Sequence, residues 1–531
     1  MLRRRQKDHR HNTKMSFRLA LLATVALSPR SQHHDDVSLF ASAFQIQAAV
    51  SIPQQSATQH CDADKIETLV KEKLYRIASG YQTHADKLKR TLVMELELSS
   101  KVEQCFIRSD GNAIDESLLL STYLMEKKSR LEECLAINDE VVHRLLSTND
   151  VSNNEQSPPP PSLFDHIEFI PSAAAGGTAE YDDLGQLMGN GGLIEGGEAN
   201  KETDGYDTAL QVIHHTARDW TVGAAPCRDE TILWIVRAIA QYYALDEYHG
   251  NGHDLRVLIP GAGLGRLAFE VSTCRDLIEN GVVPKVEAND SSVTMIFATQ
   301  NVMKMLQQQQ QQGEQNQLQS AIFPFVSDPQ VNEIDARKRF EMEVFPDECA
   351  IGSYQRYYEL TGEEHPNLSF TVGDFVSIYS QETKESQYDV VATSFFIDTA
   401  TNIYEYIFII KHLLDSNGIW VNCGPTQWHP CALLRPTVEQ LKDMLQLAGF
   451  ELLSWSIADE VVAYRHPDDV GKNGSEARYT RSEAYRPLRF VARLSSQEGD
   501  GDGDSSGSDL PLKIQYAEYL NEVANGKVKL N

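Results

Sequence analysis

The chain has no CxxC pair and no repeated cysteine spacing: its eight cysteines, Cys61, Cys105, Cys134, Cys227, Cys274, Cys349, Cys423 and Cys431, are scattered through 531 residues. This excludes a zinc ribbon or a disulfide framework, and no metal site is expected. The thiols read as ordinary, mostly buried groups of a reducing compartment. Cations are also scarce, 48 Lys and Arg against 76 Asp and Glu, giving a formal net charge of −28. That sign does not suit nucleic acid or an anionic membrane, so a small or cationic substrate is expected. The apolar run over residues 19–27 is too short to span a bilayer. With the basic residues from Arg3 to Arg18 before it, it suits a signal-peptide core, with Ala41, Ser42 and Ala43 as a cleavage site. Residues 40–44 (FASAF) also resemble the leader boundary of algae with secondary plastids. Residues 1–60 are therefore read as a disordered leader or targeting segment, with Met15 as an alternative start. A cytoplasmic protein is the first expectation, with secretory and plastid targeting left open.

What is present falls into segments. Residues 61–148 carry helical periodicity, with Ile66, Val70, Leu74 and Ile77, and later Leu131, Leu135 and Leu145, at three- and four-residue steps. Those helices either pack on the following domain or form a separate bundle. Residues 149–205 read as a linker or insertion, because Pro158 to Pro161 favour extended chain and the glycines from Gly176 to Gly197 make a core costly in entropy. Gln307 to Gln312 is a low-complexity tract expected in an exposed loop, and residues 495–531 are expected to be an acidic, mostly disordered tail.

Between 206 and 494, strands are expected at 256–259, 285–288, 369–372, 388–394, 418–423, 451–456 and 488–494, with helices at 231–244, 403–414 and 437–448 among those between them. This alternation predicts an α/β fold with a mostly parallel, doubly wound sheet of seven strands, the last two forming an antiparallel edge hairpin.

The sharpest local signal is RVLIPGAGLGR at 256–266, an apolar strand breaking into Gly261, Gly263 and Gly265. Glycine tolerates positive φ and, lacking Cβ, lets backbone N–H groups approach a ligand closely. The next strand ends in Asn289 and Asp290, roughly 25 residues on, at the spacing where an acid accepts hydrogen bonds from ribose hydroxyls. By itself the turn fits either a nicotinamide dinucleotide or an adenosyl cofactor. Asp398 follows the apolar strand expected at 388–394, so it sits at a strand's carboxyl end, where open α/β sheets bind ligands; helix capping is the other role open to it. Trp428 and His429 follow the next strand and are expected to face the same crevice.

The blocks HHTARDW (214–220), PGAGLGRLAFE (260–270), EANDSSVTM (287–295), FTVGDFVSIYS (370–380), DVVATSFFIDTATNIYEYI (389–407) and GIWVNCGPTQWHP (418–430) together resemble the carnosine N-methyltransferase family. These are S-adenosylmethionine enzymes that methylate a histidine imidazole to give anserine. The resemblance covers 206–494 and implies a Rossmann-like methyltransferase sheet. It implies that His215 and Arg218 contact the methionine part of the cofactor, with Gly261 and Gly263 along its backbone, Asp290 on the ribose, Asp374 and Phe375 at the adenine, and Ser394 also on the cofactor side. For the acceptor it implies Asp398 and His429 as catalytic and substrate-binding residues, with Tyr464 and Tyr485 on the rest of the dipeptide. An aspartate accepting one ring N–H selects the imidazole tautomer and turns the other nitrogen's lone pair toward the methyl group. The partner implied is a small imidazole compound, and a homodimer is one arrangement open to the chain.

Three departures concern the pocket: Thr401 stands where the family has histidine, Ser394 where it has cysteine, and residues 431–437 make a shorter connection. A related imidazole compound or peptidyl histidine therefore stays open as acceptor. A nicotinamide-dependent oxidoreductase and a non-catalytic adenosylmethionine-binding scaffold are the alternatives.

Overall fold

The computed structural model describes residues 63–110, 119–148, 167–169, 208–243, 253–312, 319–328, 334–470, 477–478 and 484–494. The leader expected over 1–60, the linker apart from 167–169, and the tail over 495–531 lie outside the described residues. Among those described, no helix is long and apolar enough to cross a membrane, and no group of three or more His, Cys, Asp or Glu could hold a metal ion.

In chain order the elements are α1 (Ala63–Asp110), α2 (Leu120–Leu145), β1 (Ile167–Phe169), α3 (Ala209–Trp220), α4 (Ala225–Glu230), α5 (Ile232–Tyr243), β2 (His253–Pro260), α6 (Arg266–Ser272), α7 (Arg275–Glu279), β3 (Val282–Asp290) and α8 (Val293–Gln312). There follow β4 (Ser320–Ile322), β5 (Glu343–Phe345), α9 (Glu348–Thr361), β6 (Leu368–Val372), α10 (Phe375–Tyr379), β7 (Tyr388–Ser394), α11 (Ile403–Leu413), β8 (Leu414–Gly424), α12 (Val438–Leu447), β9 (Phe450–Ile457), β10 (Val462–Ala463), β11 (Ala484–Tyr485) and β12 (Leu488–Leu494).

Every strand expected from sequence is present, in the sheet order β1-β6-β3-β2-β7-β8-β12-β9. The first six are parallel, and β12 runs antiparallel to both β8 and β9. The expected terminal hairpin is thus modified: β12 inserts inside β9, which becomes the edge. The sheet also has an eighth strand, β1, pairing with β6 inside the stretch read as linker. Three residues are too few for a period-two pattern to show.

The central strands are apolar on both faces, as a parallel sheet covered by helices requires. Val257 and Ile259 join one core with α1, α2, α5 and α8, while Leu258 faces a second core built from Ile407, Ile410, Trp420, Leu445 and Phe490. Of the two arrangements open for the N-terminal helices, the structure has the packed one. Val70, Leu74, Tyr81, Leu131 and Leu135 share the first core, and Asn138 exchanges two hydrogen bonds with the Phe323 backbone, at 2.9 and 2.8 Å.

The glutamine tract is a correction. It forms the last turns of α8 instead of a loop, and Gln307 to Gln310 are half-buried. Glutamine is a good helix former, and no glycine or proline interrupts the run before Gly313.

Candidate functional site

The chain order reverses between β3 and β7 on either side of β2, so the crevice of this doubly wound sheet opens at the carboxyl end of β2. The glycine turn stands there. All three glycines have positive φ: +63° at Gly261, +55° at Gly263 and +71° at Gly265. They do different jobs. A Cβ at Gly261 would lie 2.4 Å from Phe396 Cδ2, and one at Gly265 2.3 Å from Thr299 Cγ2, so both positions are demanded by packing. A Cβ at Gly263 would stand 3.4 Å from His215 Nδ1 and 3.5 Å from Arg218 Nη2, filling space that borders polar groups. The turn is fastened to the end of β3: Ala262 N donates to Asn289 O (2.9 Å), and Gly263 N to Asp290 Oδ2 (2.8 Å). Ser292 N donates to Asp290 Oδ1 (2.8 Å), which fixes the carboxylate plane.

Helix α3, N-capped by Thr208 through Gln211 N, supplies the opposite wall. His215 is 2% exposed; burial, and then the charge of Arg218, pushes its pKa down to about 3, so its ring is neutral at any physiological pH. Arg218 donates to both oxygens of Asp219 (2.6 and 2.9 Å) and to Tyr464 Oη (2.7 Å). Two buried arginines hold this stretch by its backbone: Arg228 donates to Arg218 O (2.9 Å) and Arg266 to Asp219 O (3.0 Å), and both pair with Asp347. Sequence reasoning did not single out Arg228, Arg266 or Asp347, whose separation in the chain hides their convergence.

At the end of β6, Asp374 caps α10, its Oδ2 accepting from Ser377 N and Oγ (2.8 and 2.9 Å). Helix capping, the other role the sequence leaves open to Asp374 as well as to Asp398, is found at Asp374 and not at Asp398, whose carboxylate accepts from Gln427 N instead. Phe375 is buried among Phe396, Tyr379 and Tyr406, with ring centroids 5.1–5.4 Å apart, as part of the second core.

Strand β7 ends in Ser394, whose buried Oγ has no hydrogen-bond partner among the described residues. A buried hydroxyl left unpaired is costly, so this atom points to a polar ligand group. Phe395, at φ +51°, then turns the chain in the left-handed region that a bulky residue rarely adopts. Gly424 on β8 permits it, since a Cβ there would lie 2.8 Å from Phe395 N. The strained turn sets the Phe395 ring 5.4 Å from Tyr464 and 6.2 Å from Tyr485, with the Arg218 guanidinium 5.5 Å from its centroid. Tyr464 and Tyr485 are themselves 6.0 Å apart, brought together by the β10–β11 pairing. Phe395 was missed in the sequence because its neighbour Phe396 looks identical there; only the backbone turn separates the two.

Asp398 is 5% exposed and, among the described residues, pairs with no Arg, Lys or His. Burial pushes its pKa up to about 6 against the pull of the Gln427 N–H on Oδ2 (3.0 Å). His429 is exposed at its side chain and is clipped beside Asp398 by its backbone N–H, which donates to Asp398 O (3.0 Å). Trp428 packs against the second core, and its indole N–H donates to Pro436 O (2.9 Å) in the 431–437 connection.

The structure therefore gathers Arg218, Gly261, Ser394 and Tyr464, together with Phe395, around one pocket. Tyr485 joins through its ring contacts, and Asp398 and His429 form a second group at the neighbouring strand ends. Asp290 and Asp374 lie on the β3 and β6 side and do not line that pocket.

Comparison with known proteins gives the family. The family described as carnosine N-methyltransferase matches residues 197–464, just over half of the chain. A carnosine N-methyltransferase of Drosophila melanogaster is 26% identical over 322 residues, 60% of this chain and 61% of that protein. One from Schizosaccharomyces pombe is 27% identical over 257 residues, 46% and 62%, and one from Mus musculus 28% identical over 254 residues, 46% and 55%. The matched region thus spans between about half and three fifths of these curated relatives. The chain belongs to the carnosine N-methyltransferase family, a family of S-adenosylmethionine-dependent methyltransferases.

Proposed function

We propose that this protein transfers a methyl group from S-adenosylmethionine to an imidazole ring nitrogen of carnosine, giving anserine, or of a related histidine-containing dipeptide or peptide. The observation that carries the reading is Asp398: a buried carboxylate with no cationic partner among the described residues, at a central strand's carboxyl end. Such a group is costly unless a ligand supplies what it lacks, and an imidazole N–H is a suitable donor.

The donor side fits an adenosyl ligand by three features: the room beside Gly263, the orphaned Ser394 hydroxyl, and the Asp290 carboxylate ending β3. On this reading His215, Arg218, Gly261, Gly263 and Ser394 hold the methionine end, Asp290 the ribose, and Asp374 with Phe375 the adenine end. When bound, S-adenosylmethionine supplies an electrophilic methyl group. The acceptor nitrogen must then be neutral, which an imidazole is above its pKa of about 6.5, so the protein need not provide a strong base. Asp398, as carboxylate, accepts the hydrogen of the other ring nitrogen and fixes the tautomer. His429 stands at the exposed edge of the same group to meet the acceptor, and the rings of Phe395, Tyr464 and Tyr485 exclude water and orient the remainder of the molecule.

Titration calorimetry with S-adenosylhomocysteine and with NAD, followed by methyl-transfer assays on carnosine, homocarnosine, anserine and histidine peptides, tests the proposal. Binding of NAD in place of the homocysteine compound would refute it; the ranking of acceptors names the substrate.

A further inference from the structure

Arg218 on α3 and Tyr464 after β10 both line the pocket and join segments 246 residues apart by one hydrogen bond of 2.7 Å. A second cross-link runs beside it. His214 precedes Arg218 by four positions on the same helix, so the two are neighbours on its surface. Arg465 follows Tyr464 directly in the bend after β10. Both reach one carboxylate, Asp328, which is 7% exposed and follows β4 in the stretch between α8 and α9. His214 Nε2 lies 3.0 Å from Asp328 Oδ1, a close contact without hydrogen-bond alignment, and Arg465 grips both oxygens in a fork of 2.9 and 3.0 Å. The carboxylate is itself fixed: Arg339 donates to Asp328 O (2.6 Å), and the preceding Ser327 is held by Tyr81 (2.6 Å) and His84 (3.0 Å) of α1.

We infer that Asp328 is a positioning residue, clamping α3 to the segment after β10 so that Arg218 and Tyr464 stay in register across the mouth of the pocket. The inference rests on the proposed methyl-transfer site, since it concerns that pocket's width. Asp328 touches no proposed ligand; it acts through Arg465 and His214 on the residues beside them. A fork between Arg and carboxylate is directional, so loss of either end frees the Tyr464 segment to shift relative to α3.

The test compares Asp328→Asn, Arg465→Gln and the double variant with wild type and with Asp335→Asn, an exposed residue paired with Arg337 after β4. The KM for carnosine and the Kd for S-adenosylhomocysteine are expected to rise roughly 5- to 20-fold in each single variant, with kcat within about threefold of wild type. The double variant should be no worse than the poorer single one, because both remove the same link. Asp335→Asn should match wild type. Single variants that lose thermal stability yet keep KM and Kd within twofold would overturn the clamp, as would a double variant whose losses multiply. Should Asp328→Asn not fold, Arg465→Gln, which leaves Asp328 its contact with His214, decides alone by the same criterion. If wild type binds no S-adenosylhomocysteine, the underlying reading of the pocket fails; if wild type and variants bind it alike, only the clamp does.

Discussion

The two halves of the crevice are built differently. The donor half is held by backbone: three left-handed glycines, two of them packed so closely that a methyl group would collide, and N–H groups tied to the end of the adjacent strand. The acceptor half is held by side chains from distant segments, with Phe395 on a strained turn, Tyr485 on a two-residue strand pair and Tyr464 just after it, and Asp398 beside His429. Backbone geometry between neighbouring strands tolerates little change, whereas a side-chain cluster can be retuned one residue at a time. Of the departures, Thr401 and 431–437 fall after β7, on the proposed acceptor side, while Ser394 ends β7 on the proposed donor side. On the proposed reading, donor identity rests mainly on backbone geometry and acceptor choice on side chains that can change one at a time.

That contrast can be broken most forcefully at Asp398. Asp398→Asn should cut kcat for imidazole methylation by 100-fold or more, in the range lost when a tautomer-setting aspartate is removed, while leaving the Kd for S-adenosylhomocysteine within about twofold. The same substitution should stabilise the fold at high pH. The folded-state pKa of Asp398, about 6, lies above its ordinary 3.8, so its contribution to stability is fully present below about 3.8 and is lost as pH rises through 6. Asn escapes that loss. Thermal unfolding should favour the variant by on the order of 2 kcal/mol at pH 8 and by nearly nothing at pH 4; equal stability at both pH values would show that Asp398 is not the buried, unpaired acid described.

In the donor half, Gly265→Ala should destabilise by about 2–4 kcal/mol, combining positive φ with the collision at Thr299. Trimming that methyl in Gly265→Ala/Thr299→Ser should recover a measurable part of the loss in denaturant midpoint. Acceptor chemistry should also show in the pH profile. Protonation of the substrate imidazole and of Asp398 both stop the reaction, so kcat/KM should rise with pH through 6 to 6.5, its logarithm nearing a slope of 2 below pH 5.5. In Asp398→Asn the residual activity should keep a slope of 1. The smallest effect is expected for Tyr464→Phe, which keeps the ring beside Phe395 and removes only the hydroxyl that Arg218 holds. A three- to tenfold rise in KM for the acceptor is expected, with kcat near wild type.

Much of this was legible in the sequence, and the gaps have physical causes. The strands at 256–259, 285–288 and 388–394 were readable because parallel strands buried on both faces are continuous apolar runs. The glycine turn was readable because no other residue takes three positive φ values in five positions at so little cost. Phe395 was not, since the feature that matters is a backbone dihedral and a composition of two adjacent phenylalanines does not say which one turns. Asp347 and Asp328 were not, since each joins residues more than 80 positions away, and long-range ion pairs leave no periodicity. The glutamine tract is helical because glutamine's helix propensity, with nothing to interrupt it, prevails over the loop that low complexity suggests.

The most direct measurement is methyl transfer itself: purified protein, S-adenosylmethionine and carnosine, with the product ring read by NMR and S-adenosylhomocysteine counted against it. One methyl on a ring nitrogen for each S-adenosylhomocysteine formed is the predicted result. Tight binding of S-adenosylhomocysteine with no transfer to carnosine, homocarnosine or any histidine peptide would contradict the assignment of Asp398 and the rings around it.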